Sequence, residues 1–205
     1  MAASLVQSVV AAGTSTAPAA TFASGTTAGN AIIAKLAWLT SGGTFTLSGF
    51  ATDVTLTSTN PKVAILSNLA ATTNTTTVTG SLSGSSVRWI MTLEEWSGLL
   101  SSSALDRTAS QTTASGPSGG TGTTSSTTQN NEMAAAAIAC DDGTAGDGEF
   151  SAPTNGFTLL ANKTNGNPMG LATLYKVLST MGAQSTAVDC STSPDYYGCV
   201  ATYKV

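Results

Sequence analysis

The chemistry open to this chain is limited first by what it lacks, because none of its 205 residues is a histidine. Without an imidazole, Ser-His-Asp and Cys-His nucleophile systems are excluded, as are metal sites that need a histidine ligand. The lysines stand singly among hydroxyl residues, with no spacing that indicates a Ser-Lys pair. No P-loop or GxGxxG motif is present. We therefore predict a protein that is not an enzyme and has no cofactor.

Two adjacent carboxylates, Glu94 and Glu95, look at first like the acid pair of a glycoside hydrolase. They fall in a segment that alternates as a strand does, and neighbouring residues of a strand point to opposite faces. The two groups therefore cannot flank one glycosidic bond. We expect structural hydrogen bonds instead, with Glu95 partly buried on the face of Leu93.

One acidic cluster could offer oxygen ligands to calcium, which takes such ligands from loops. Its spacing does not match the Asp-x-Asp-x-Asp-Gly loop, so a solvated hairpin end is the preferred interpretation and no metal is predicted. The cluster consists of Asp141, Asp142, Asp147 and Glu149.

Three aromatic residues are candidates for contact with a ligand such as a glycan: Trp96, Tyr196 and Tyr197. Trp89 belongs to a regular apolar face and is predicted to lie in the core. Trp96 falls on the opposite face, near a loop, where it could either contact a ligand or cap the core. Capping the core is the preferred interpretation.

The three cysteines, Cys140, Cys190 and Cys199, include no CxxC spacing, which argues against a zinc site. Cys190 and Cys199 flank a turn signal at 193–195 and could bridge a hairpin end. Two buried thiols are favoured over this bridge, because folding in a cytoplasm is reducing.

The elements that must position these residues are strands. Charged residues make up 9% of the chain and apolar residues 41%, and Thr, Ser and Gly are abundant. Val87 to Trp96 and Tyr196 to Lys204 alternate with period two, and the alanine-rich Glu132 to Cys140 is interpreted as a buried strand. We predict an all-β fold, an antiparallel, jelly-roll-like β-sandwich of roughly ten strands. It forms a single domain over residues 1–205, with no evident internal repeat.

Two segments are predicted to reach neighbouring molecules. Residues 1–21 form an extended N-terminal arm that includes a first strand at Leu5 to Val10. Residues 112–128 form a long, exposed Gly/Ser/Thr loop that could include some edge-strand pairing. No apolar run approaches the roughly 20 residues of a membrane span. The start of the chain lacks the basic residues of a secretion signal. Basic residues are scattered and the net charge is −4, so no nucleic-acid partner is expected.

Several stretches together resemble a β-sandwich group common among tailed-phage virion proteins. The shared pattern is a Gly-Asn turn into an apolar strand ending in Trp, a strand ending Glu-aromatic-Ser-Gly, an Asn-Glu turn into a small-residue strand, and a closing aromatic-Lys strand. The stretches are ATFASGTTAGNAIIAKLAW, VRWIMTLEEWSGL, LDRTASQTT followed by TTQNNEMAAAAIA, GFTLLANKTN with LATLYKVL, and YGCVATYKV.

This resemblance implies a structural protein without catalytic residues. We expect a capsid decoration or cement protein, made in the host cytoplasm and located on the outer surface of the virion. Its partners would be the major capsid protein and copies of itself, as a trimer. The alternative is a carbohydrate-binding β-sandwich of a tail fibre, head fibre or bacterial surface adhesin. A degraded glycosidase is a third, weaker hypothesis.

Overall fold

A computed structural model describes residues 2–141, 149–166, 169–190 and 192–205. This part of the chain is made of antiparallel strands and one 3-10 turn, Thr40–Gly42, with no α-helix. It follows that none of the described residues lies in a helix able to cross a membrane. The predicted all-β sandwich is confirmed, but the described residues form sixteen strands in four sheets, against the roughly ten predicted.

The N-terminal half contains eight strands, in a five-stranded sheet of order β1-β8-β3-β6-β5 and a three-stranded sheet of order β2-β7-β4. The first strand pairs with the eighth, the second with the seventh and the third with the sixth. Such nested pairing is that of a long hairpin rolled into a jelly roll. The strands are β1 Ser4–Ser15, β2 Ala19–Thr21, β3 Ala31–Trp38, β4 Phe45–Leu47, β5 Ala51–Leu56, β6 Lys62–Asn68, β7 Thr77–Leu82 and β8 Val87–Ser97.

The C-terminal half repeats this arrangement strand for strand. Its five-stranded sheet has the order β9-β16-β11-β14-β13 and its three-stranded sheet the order β10-β15-β12. Each strand of the first half therefore corresponds to the strand eight places later. The strands are β9 Leu105–Thr113, β10 Ser118–Gly120, β11 Glu132–Cys140, β12 Phe150–Ser151, β13 Thr158–Thr164, β14 Gly170–Val177, β15 Ala187–Cys190 and β16 Tyr196–Lys204.

The repeat extends to backbone irregularities. β1 and β9 each carry a bulge near their start, with Val6 and Asp106 as the extra residues, and β5 and β13 each carry one at Asp53 and Leu160. Bulges insert one residue and increase the local twist. Their matched positions show that the two halves curve in the same way.

Turns repeat as well, although the residues in them differ. Gly49 and Gly156 both have positive φ, 81° and 74°, and each directly precedes a phenylalanine. The turns into β3 and β11 have their left-handed residue at Gly29 and Asn131. Gly and Asn both tolerate this conformation. The repeat lies in backbone geometry more than in residue identity, which is why the sequence did not reveal it.

The four sheets stack in four layers. The two five-stranded sheets face each other, with β1 against β13 and β5 against β9, as an approximate twofold axis along the strands requires. Each three-stranded sheet covers the outer face of its own half. The core shared by the two halves includes Ile33, Ile65, Ile90, Met133 and Leu171.

The central strands β3 and β11 are buried on both faces. β11 places Ala135, Ala137 and Ala139 in the shared core, while Ala134 and Ala136 face the outer core. Small side chains allow other layers to approach this strand closely. The interpretation of the alanine run as a buried strand is confirmed.

The two segments predicted to extend outward are instead part of the fold. Within residues 1–21, the described part contains β1 and β2 rather than a free arm, and the predicted first strand is confirmed. Within residues 112–128, β10 joins a sheet, and Thr121, Thr124 and Thr127 are buried. Their backbone N–H groups donate to carbonyls at 182–186. Most residues of this segment are nevertheless exposed, as predicted, and β10 provides edge-strand pairing. The prediction of exposure is wrong only for the inward-facing residues, which include these three threonines.

Gly119 in β10 gives a test of the packing between layers. A Cβ added there would lie 1.9 Å from Cγ of Tyr196, whereas at Gly116 the nearest such atom is 3.6 Å away. We expect Gly119→Ala to lower the free energy of unfolding by about 2 kcal/mol or more through overpacking. Gly116→Ala is the control and should change it little. Equal stability of the two variants in urea denaturation would contradict the packing described.

Candidate functional site

The three aromatic residues named as candidate ligand contacts are buried, so the ligand-contact hypothesis is wrong for all three, while the preferred interpretation of Trp96 as a core residue is confirmed. Trp96 and Tyr196 are completely inaccessible and Tyr197 is 8% exposed. Trp96 lies in the shared core, edge-on to Tyr175 at 5.2 Å between ring centroids. Tyr196 Oη donates to the carbonyl of Pro117 at 3.1 Å. None of these rings offers a face on which a sugar could stack.

Of the calcium candidates, Asp142 and Asp147 lie outside the described residues. The Asp141 carboxylate accepts a hydrogen bond from the backbone N–H of Asp195 at 3.0 Å, and Glu149 accepts one from the Cys140 thiol at 3.6 Å. Both therefore bond to neighbouring strand ends. Across the residues described, no group of three or more His, Cys, Asp or Glu is arranged to hold a metal ion.

The cysteines are buried thiols rather than a disulfide. Cys190 lies in the outer core of the C-terminal half, while Cys199 lies in the shared core. Burial raises the pKa of the Cys199 thiol to about 12. The favoured prediction of buried thiols at these positions is confirmed.

Glu94 and Glu95 point to opposite faces of β8, as the alternation predicted. Glu94 forms an ion pair with Lys35 in the shared core, and both side chains are completely buried. Lys35 Nζ also donates to the carbonyl of Leu174 in the other half, at 2.7 Å. Glu94 in turn accepts from Trp96 Nε1 at 3.0 Å. The pair therefore ties the two halves together.

Burial lowers the pKa of Lys35, against the opposing effect of Glu94. A lysine with a lowered pKa can act as a nucleophile, but this amine has no exposed surface for a substrate to reach. A second tie between the halves runs from Tyr203 Oη to the Asp53 carboxylate, at 2.6 Å. We interpret both as structural contacts across the shared core.

Glu95 lies in a corner where the turn before β3 meets the end of β8. Its carboxylate accepts from the Thr27 backbone N–H at 2.8 Å, from Asn30 Nδ2 at 2.6 Å and from Gln7 Nε2 at 2.7 Å. Burial alone would raise the pKa of Glu95, but these hydrogen bonds hold it below its ordinary value. The charged carboxylate fastens β1 and the turn to the sheet.

The equivalent corner of the other half contains two carboxyl groups. Asp106 accepts from the Thr128 backbone N–H and hydroxyl, both at 2.7 Å, and lies 3.5 Å from Lys204 Nζ. Burial would raise its pKa, but the Thr128 bonds lower it. Glu132 interacts with Asp106 and Thr202, and burial, reinforced by the charge of Asp106, raises its pKa to about 7. Glu132 therefore keeps a proton up to about pH 7 beside the ionised carboxylate of Asp106.

Sequence reasoning missed this corner. A signal was present, because Asp is depleted in strands and Asp106 falls in a strand-like segment. From the sequence alone, Glu132 is only the first residue of the alanine-rich strand. What could not be seen is that the turn before β11 brings Glu132 and Thr128 to the start of β9, since that contact depends on the unrecognised repeat.

Both corners lie at one end of the sandwich, which we call the crossover end because residues 98–104 connect the two halves there. The Leu100 backbone N–H donates to the Lys204 carbonyl across the halves, at 3.0 Å. Six large apolar side chains are exposed among the described residues, and all but Val10 lie at this end. Those five are Val6, Leu100, Leu105, Val177 and Met181, which are 37–57% exposed.

No family model, curated protein or solved structure matches this chain. The candidate site is therefore defined by its own geometry. It consists of the crossover end, with its exposed apolar side chains and the two buried carboxylate corners that hold the turns beneath them.

The ion pair in the shared core can be tested with a double-mutant cycle. Lys35→Met leaves the Glu94 carboxylate buried without its counter-charge, and we expect a loss of about 3–5 kcal/mol in the free energy of unfolding. The double variant Lys35→Met, Glu94→Gln removes both charges and should recover a large part of that loss. Additive effects of the two substitutions would show that the groups do not interact.

The raised pKa of Glu132 predicts a pH dependence of stability. The folded state holds this proton more tightly than the unfolded state, so the contribution of Glu132 to stability is greatest below the ordinary pKa of about 4.5 and is lost as pH rises towards 7. Glu132→Gln should remove this loss, which we expect to be about 1–3 kcal/mol. Urea denaturation at pH 4.5 and pH 8 measures it. Identical pH profiles for the two proteins would contradict the assignment.

Proposed function

We propose that this protein is a structural virion protein that decorates the outer surface of a phage capsid and docks on the major capsid protein through its crossover end. One observation carries the proposal: five of the six large apolar side chains exposed among the described residues lie at that end. Grouped exposed apolar side chains mark protein interaction sites, whereas single scattered ones need no explanation.

The chemistry beneath this end favours docking over catalysis. The carboxylates of Glu95 and Asp106 are buried and bonded to backbone N–H groups of adjacent turns. They therefore fix the shape of the surface and have little hydrogen-bonding capacity left for a substrate. Because the contact would be mainly apolar and uncharged, we expect it to resist added salt, which weakens exposed charge pairs.

The architecture suits a protein that reinforces a shell. Both halves share one core, two buried polar contacts cross it, and each half has a further outer core. Such a block can bridge neighbouring subunits without deforming. Its cysteines are buried thiols, which suits folding in the reducing cytoplasm of a host.

A groove on the N-terminal half supports the second candidate function, carbohydrate binding. β5 pairs with the inner sheet, so the outer three-stranded sheet leaves part of β6 uncovered. The resulting cavity, of about 450 Å³, has Ala64 and Leu66 among its lining residues. Hydroxyl groups and one amine could bond to a sugar there, from Thr44, Thr52, Thr55, Thr57 and Lys62.

The docking proposal can be tested with charged substitutions at the two ends. Met181→Asp and Leu105→Asp place a carboxylate on the crossover end and should weaken binding to purified phage heads stripped of this chain, by about tenfold or more. Ser85→Asp adds the same charge at the opposite end, on an exposed residue, and should bind as the wild type does. Co-sedimentation with the heads measures all three.

Three results would contradict the proposal. These are equal binding by the three variants, absence of the chain from purified virions by mass spectrometry, or no saturable binding of the wild type to heads. Specific binding on a glycan array, lost on Thr55→Trp in the groove, would instead favour the carbohydrate-binding alternative.

A further inference from the structure

The two large sheets have four edge strands, and three of them carry charge. β5 includes Asp53, β9 includes Asp106 and Arg107, and β13 includes Lys163. Charges and bulges on an edge strand discourage pairing with another chain. All four edge strands carry a bulge, so charge is what distinguishes them. The fourth edge, β1, is twelve residues long and contains neither a charged residue nor a proline.

The contrast between β1 and β9 is sharp because the two strands occupy equivalent places in the repeat. Where β9 has Asp106 in its bulge, β1 has Val6, and where β9 continues with Arg107, β1 continues with Gln7. The backbone geometry is the same, so the protection of one edge and not of the other lies in the side chains.

β1 also exposes apolar surface along its length. Val6 is 50% and Val10 is 39% exposed. In the part of the chain that the structure describes, β8 is the one strand that pairs with β1 in a sheet. The outer edge of β1 therefore offers a row of backbone groups flanked by two valines.

We propose that a second copy of this chain pairs with β1 in antiparallel orientation, about a twofold axis at Ser8. In that register Val6 of each copy lies opposite Val10 of the other, and Gln7 lies opposite Val9. Cross-strand pairs of β-branched side chains stabilise antiparallel ladders. The lack of charge along β1 means that no like charges meet across the axis.

This pairing joins the five-stranded sheet that contains β1 in one copy to the same sheet of the second copy, giving one sheet of ten strands. It is isologous, so it closes with two copies, because each chain has one such edge and the other three are charged. The assembly is then a dimer, in place of the trimer that the resemblance implies. Because the dimer forms from this chain alone, its existence does not depend on the proposed capsid role.

Charged substitutions at equivalent edge positions provide the first test. Sedimentation velocity of the full chain should give twice the mass of one chain. Val10→Lys places a charge on the pairing edge and should raise the dimer dissociation constant by about tenfold or more. Ser110→Lys, at the equivalent exposed position of β9, is the matched control and should remain a dimer. Circular dichroism should show that both variants keep their strand content.

A cysteine scan tests the register. Ser8→Cys brings two thiols together on the axis, within the Cα separation of about 4.4–6.8 Å that a disulfide requires. Mild oxidation should therefore give a crosslinked dimer on a non-reducing gel. Thr108→Cys on β9 is the control and should stay uncrosslinked, since the native cysteines are buried.

The proposal is overturned if the wild type is a monomer at all concentrations, if its mass is that of a trimer, or if Val10→Lys and Ser110→Lys dissociate equally. It is also overturned if β1 pairs only with a strand of another virion protein. In that case the wild-type chain would be a monomer on its own and would co-purify with that protein.

Discussion

The structure depends on one constraint: each five-stranded sheet is covered on both faces. In a sheet with one solvent-exposed face, the strands can alternate apolar and polar residues. The strands β3 and β11 have no solvent-exposed face and must bury every side chain. Charged residues can enter these layers only with partners. Lys35 is accepted because Glu94 and the Leu174 carbonyl receive its ammonium group, and breaking such a buried pair is costly.

The parts of the fold that could be predicted are those with local signals. The alternation of Val87 to Trp96 predicts its two faces correctly, since its odd residues face the outer core and Ile90 and Trp96 face the shared core. What failed was the prediction of exposure. Tyr196 lies near a strand end and is a candidate ligand contact from the sequence, and Trp96 keeps ligand contact as its second interpretation, because the sequence does not show that another sheet covers those ends. Likewise, the sequence places Thr121, Thr124 and Thr127 in an exposed loop, although these three residues are buried.

The two halves share a scaffold but distribute chemistry differently over it. Trp96 and Tyr203 occupy equivalent positions, next to the first residues of β3 and of the core part of β11. One ring packs edge-on against Tyr175, while the other donates a hydrogen bond to Asp53. Glu95 is balanced by amides, whereas Glu132 faces a second acid. Such divergence hides the repeat from any comparison of residues, and it makes the two corners at the crossover end chemically distinct.

The buried thiols can report which layer of the molecule opens. Cys140 and Cys190 belong to the outer core of the C-terminal half, and Cys199 to the core between the halves. A thiol reagent reaches a buried cysteine only when the layer around it opens. Separation of the halves would expose Cys199, while detachment of the outer sheet would expose the other two. The order in which the three become labelled thus distinguishes peeling of a layer from parting of the two halves.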